Sequence, residues 1–129
     1  MDDYPDDLEP YVSFNVSVEQ VCTITFTGEF LPELVFSIAQ HTAVEDKRHG
    51  PLRGILLDLR RAERISIIRL SGLLDQLSRF DVPIAVVLHA THQQQRLIDL
   101  FHQTLAGRDR IAYFADLPEA LAHLEANAP

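Results

Sequence analysis

A single cysteine, Cys22, in a chain of 129 residues leaves no internal disulfide to staple the fold and no cage of several thiolates to hold a metal. It stands between Val21 and Thr23 in a β-type run, where a buried, inert thiol is expected, and a reducing cytoplasmic compartment follows as the default. No apolar run approaches the ~20 residues of a membrane span, and no basic-plus-apolar leader opens the sequence. Glycine is also scarce: five residues, none arranged as a phosphate-cradling loop or as the Gly-x-Ser-x-Gly elbow of a serine hydrolase. Finally, residues 1–46 contain no Lys or Arg at all, against ten acids.

That last absence shapes the electrostatics more than the net charge of −8 does. Residues 47–129 hold all eleven bases and nine acids, and seven of the bases fall between Lys47 and Arg69. The overall sign disfavours nucleic acid, whose binding is dominated by phosphate attraction. A local anion site near Arg60, Arg61, Arg64 and Arg69 is compatible with the distribution. So is a plainer role, in which these arginines solvate the edge of a sheet and pair with the acidic N-terminal half.

With 47% hydrophobic and 23% charged residues the composition is that of one globular domain with one core. Residues 1–10 are acidic, carry Pro5 and Pro10 and lack an apolar period, so a flexible tail is expected there and a single domain over 11–127. From Tyr11 the pattern alternates, with Val12, Phe14, Val16 and Val18 on the buried side. Val21 to Phe26 resumes it with β-branched residues, giving a hairpin or one bent strand. Pro32 and Glu33 suit a helix start, and the helix is expected to bury Leu31, Leu34, Val35 and Ile38 and run to about Val44. Lys47 to Pro51 reads as a polar break.

Gly54-Ile55-Leu56-Leu57-Asp58-Leu59 then reads as a central strand buried on both faces, followed by the basic turn Arg60-Arg61-Ala62-Glu63-Arg64. Ser66 is the expected N-cap of a helix whose stripe is Ile67, Leu70, Leu74 and Leu77, widened by Ile68 and Leu73, and which closes at Phe80-Asp81. Residues 83–88 form the second buried strand. Thr91 opens a helix burying Leu97, Ile98, Phe101 and Leu105 up to Gly107, and 110–114 is a shorter strand. Asp116-x-x-Glu119 with Pro118 inside is a capping signature for a last helix that buries Ala120, Leu121 and Leu124. The order ββαβαβαβα implies an α/β fold, a mixed sheet of four to five strands with right-handed crossovers and packed helices. Its core is expected to centre on Leu56, Leu57, Val86, Val87, Ile111, Ile68 and Leu97.

This order, with Gly28-x-Phe30, Leu56-Leu57-Asp58-Leu59, Ile84-Ala85-Val86-Val87, Ile111-Ala112-Tyr113-Phe114-x-Asp116, Glu119-Ala120 and Leu124, resembles the SpoIIAA-like group of STAS domains, also described as STAS/SEC14-type. The resemblance spans about Val21 to Leu124. It implies a non-catalytic regulatory or protein-interaction domain, with a small apolar-ligand or lipid carrier as the alternative and an enzyme third. Phosphorylatable STAS domains carry Asp-Ser-x-Gly at the helix after the Asp-Leu strand. Here the region reads Ile65-Ser66-Ile67-Ile68-Arg69-Leu70-Ser71-Gly72, so Ser66 lacks the preceding Asp and Ser71-Gly72 lies within the helix pattern. The last helix carries His123-Leu124 where the group often has Trp-Leu.

The candidate contact surface is therefore Asp58, Arg60, Arg61, Arg64 and Ser66, where arginines and free helix N–H groups suit an anion, a lipid head group or a protein partner. Asp58 as a general base competes with its commoner role in stabilising a turn. Six histidines occur, with His89 and His92 three apart at a strand exit, but without nearby carboxylates they read as surface or capping residues, and no metal or other cofactor is expected. Exposed strand edges and helix faces make a homodimer the other expected assembly.

Overall fold

The alternating run after residue 11 folds back on itself. The computed structural model of the chain describes residues 12–27, 32–48, 50–62, 67–88 and 111–127. In it β1 (Val12–Val16) pairs antiparallel with β2 (Val21–Phe26), Val12 opposite Phe26 and Val16 opposite Cys22. The hairpin, not a bent strand, is thus the arrangement. Its turn is closed by Gln20 N–H to Ser17 O at 2.9 Å and Ser17 N–H to Val21 O at 3.0 Å, with Gln20 at φ 64°. Val18, expected on the buried side, stands in this turn at 94% exposure. The two-residue period ends where the backbone leaves the pleat.

From β2 onward the sheet is parallel. β3 (Gly54–Asp58), β4 (Ile84–Val87) and β5 (Ile111–Phe114) add in chain order, giving β1-β2-β3-β4-β5. Helix α1 (Pro32–Arg48) follows β2, α2 (Ile67–Leu77) follows β3, and α3 (Leu117–Asn127) follows β5. The expected helix after Thr91, with Leu97, lies outside the described residues.

Side-chain parity divides the core into two layers. On one face Cys22, Ile24 and Phe26 of β2, Ile55 and Leu57 of β3, and Ile84 and Val86 of β4 meet Leu70, Leu73, Leu74 and Leu77 of α2 and Ile38 of α1. The four α2 leucines are fully buried, each contributing about 2 kcal/mol of transfer free energy. On the other face Val21, Leu56, Ala85 and Val87 meet Ala120 and Leu124 of α3. Leu121, expected in this layer, is exposed. One residue past Ala120 the helix has turned by about 100°, away from the sheet. Ile111, expected at the centre, is only half-buried, because β5 is the last strand of the described sheet.

Helix α1 continues a turn beyond the expected Val44. Glu45 is buried and lies 3.4 Å from His41 Nε2 and 3.6 Å from Arg48 Nη1, and Lys47 and Arg48 complement the dipole at the C-terminus. The break is confined to the next residues. Gly50 takes φ 80°, and the Leu52 N–H donates to Asp46 Oδ1 at 2.9 Å, seating the buried Leu52 before β3 begins. Helix α2 ends in a 3-10 turn, Ser78–Phe80, followed by Asp81 in the left-handed region at φ 58°, close to the boundary expected from Phe80-Asp81.

Candidate functional site

Asp58 is the last residue of β3, and its side chain falls on the α3 face like Leu56, two residues earlier. A carboxylate here would be costly to bury alone, since Asp58 is only 6% exposed. Arg60 satisfies it. The guanidinium donates from Nε to Oδ1 at 2.9 Å and from Nη2 to Oδ2 at 2.8 Å, and the Arg60 backbone N–H adds a third bond to Oδ1 at 3.1 Å. A two-oxygen fork and a turn two residues on are thus made by one pair of residues. Leu59 N–H donates to Val87 O at 2.9 Å, and Ala62 N–H closes onto Leu59 O at 3.2 Å. The chain leaves the sheet through a fixed, hydrogen-bonded turn.

The charges here differ from the run of bases in the sequence. Burial pushes the Asp58 carboxyl up, but the hydrogen bonds from Arg60 and the charges of Arg60 and Arg61 outweigh it, and the group stays below its ordinary value. Arg60 is raised, first by its hydrogen bond to Asp58 and by that carboxylate's charge, with a further contribution from Asp116. Asp116 sits at the start of α3, where its Oδ1 accepts the Glu119 N–H at 3.3 Å. Two arginines therefore stand beside two carboxylates, and Arg60 is committed to Asp58. Arg61 is exposed. Arg64 and Ser66 lie outside the described residues, so the structure brings together Asp58, Arg60 and Arg61 of the five candidates.

The same end of the sheet receives the start of α1. Thr25 is paired with Asp58, and only residues 27–31 separate β2 from Pro32. Phe36, in the second turn of α1, is 65% exposed. The helical period already places Phe36 off the stripe of Val35 and Ile38, about 100° from Val35, but nothing in the sequence marked it as more than an ordinary exposed position. A second group that sequence reasoning missed is the pair His41 and Glu45, buried between α1 and the hairpin; the four-residue spacing was the available signal.

No family model matches the sequence, and no curated protein matches it significantly. Solved structures do match in shape. SpoIIAA, an anti-sigma factor antagonist, in its unphosphorylated form aligns with a TM-score of 0.58 at 13% identity, over 88% of this chain and 97% of that one. An anti-sigma factor antagonist from Mycobacterium paratuberculosis gives 0.63 at 16% identity, over 95% and 98%. The Bacillus cell fate determinant SpoIIAA in the phosphorylated form gives 0.56 at 15% identity, over 88% and 98%. The chain has the SpoIIAA-like STAS fold, a five-stranded mixed sheet with packed helices.

Proposed function

We propose that this domain is a non-catalytic regulatory module that works by binding another protein, through the turn after Asp58 and the neighbouring start of α1. The observation that carries this reading is the Asp58–Arg60 clasp. It fixes the backbone of the turn and ties up one guanidinium, while Arg61 is exposed beside it and Phe36 is exposed on α1. Arginine and aromatic side chains are the types enriched in protein interfaces. The similarity to anti-sigma factor antagonists supports the regulatory class, and two of those structures are one protein with and without a phosphate. A phosphate on Ser66, which precedes α2 in the sequence, is the corresponding switch proposed here. The buried thiol of Cys22 suits a reducing, cytoplasmic setting.

The carrier alternative needs open space between helix and sheet. Between α2 and the sheet, Leu70, Leu73, Leu74 and Leu77 pack directly on Ile55, Leu57 and Val86, which gives that reading no support. A homodimer through a strand edge is a further form of partner, with β1 and β5 outermost among the described strands.

The test is affinity capture from the native cells with the wild-type chain and with Arg61→Glu and Phe36→Ala, each first shown to be folded by circular dichroism. Specific proteins retained by wild type and lost by the variants are expected. An identical set on all three would sink this surface, and a co-purifying lipid mass in native mass spectrometry would favour the carrier.

A further inference from the structure

Helix α1 meets the hairpin through an ionisable contact. The His41 imidazole stacks on the Phe14 ring of β1, with centroids 3.5 Å apart and planes 19° from parallel. Its Nε2 lies 3.4 Å from Glu45 Oε1, and the two side chains are each 9% exposed. Arg48 reaches the same carboxylate at 3.6 Å. From β2 the neighbouring ionisable group is the Cys22 thiol, which feels the charge of Glu45. Among the described residues, the charged groups that shift His41 are Glu45, which raises it, and Arg48, which lowers it.

A neutral imidazole fits this slot as a flat, weakly polar ring against an aromatic face. A charged imidazolium must be dehydrated to remain there. Glu45 offsets part of that cost, and Arg48 opposes protonation. We propose that the Phe14–His41–Glu45 stack is a proton-sensitive latch, holding α1 against the β1–β2 hairpin while the imidazole is neutral and releasing it when the imidazole gains a proton. Burial, the largest influence, holds the His41 proton affinity below the ordinary histidine value, against the pull of Glu45. The release would be felt by α2, because α1 packs on it, with Val35 beside Gly72.

The linkage has a definite sign. A histidine depressed in the folded state binds its proton more readily when undocked, so the latch is fully closed above the undocked value of 6.5 and loosens as pH falls below it. The experiment is amide hydrogen exchange on the whole chain between pH 7.5 and 5.5, corrected for intrinsic exchange, beside an NMR titration of the His41 ring. Protection of α1 and hairpin amides is expected to fall with decreasing pH, by up to about tenfold per pH unit, while β3 and β4 hold. In His41→Phe, which keeps a ring on Phe14, the pH dependence of α1 should vanish, and His41→Gln provides the same comparison if the phenylalanine does not pack. An unchanged slope in the folded variants, equal loss across all strands, or a His41 titration at or above 6.5 overturns the latch.

Discussion

Gly54 faces Leu124 so closely that a β-carbon on the glycine would stand 3.3 Å from Leu124 Cδ2 and 3.5 Å from its Cβ. The start of β3 and α3 are thereby in close contact, and a β-carbon at Gly54 fits only if Leu124 yields by a few tenths of an ångström. Both residues are buried, so neither has solvent to move into. Gly54→Val is expected to cost about 2 kcal/mol through overpacking. Leu124→Ala is expected to cost about 3 kcal/mol alone by opening a cavity, but distinctly less in the Gly54→Val background. Urea denaturation of the four-member cycle checks this, and strictly additive losses would mean the two positions do not share the space.

The Asp58–Arg60 clasp gives an acid-side expectation. Because the folded carboxyl is held below its ordinary 3.8, its contribution is fully present above that value and disappears as pH falls through the folded value. Arg60→Ala should lower stability near neutral pH by about 1–2 kcal/mol, less than for a fully buried pair since the Arg60 side chain is 35% exposed. The gap between the variant and wild type should narrow below 3.8. Denaturant midpoints measured from pH 7 to pH 3 decide it, and a constant gap would show that Asp58 is not the group concerned.

Cys22 has its thiol pushed up to about 12, mainly by burial. At pH 8 almost no thiolate forms in the folded chain, so a thiol reagent is expected to label it only after opening. Labelling should be slow in buffer, immediate in strong denaturant, and accelerated by any variant that loosens β2. Rapid labelling of the native protein would contradict its burial.

For the proposed switch, Ser66→Asp should alter affinity for a captured partner severalfold with the urea midpoint unchanged. Arg61→Glu should weaken that partner further, by at least tenfold if Arg61 contacts an acidic group. Titration calorimetry with the purified partner measures both. Unaltered binding in the two variants would remove Ser66 and Arg61 from the interface.

The sheet was legible because its strands are written in two distinct patterns, alternation for the one-sided hairpin strand β1 and unbroken apolar runs for β3 and β4. The α2 leucines were legible for the same reason, since their spacing matches the helical period. What could not be read were choices made between elements. Asp58 and Arg60 stand two apart, but only the fold shows that the arginine is turned onto the carboxylate and not toward a ligand. His41 looked like one of several scattered histidines, because its stacking partner Phe14 lies in a different element. Leu121 and Val18 were misplaced by pattern alone, one lying just past the contact stripe and the other just past the strand.

The neighbour order of the strands repeats their order along the chain, and this bears on how the protein emerges during synthesis. The hairpin comes first and involves only local pairing, the kind that forms fastest. Each later strand then finds its partner already made and adds at the growing side, without prying apart an earlier pair. Helix α3, the last of the described elements, packs on the β3 and β4 face. A chain halted after β4 would hold a complete row of pairs with β4 as a second open edge beside β1, and without α3 on its β3–β4 face. Such a nascent form is where sticking to other chains would begin.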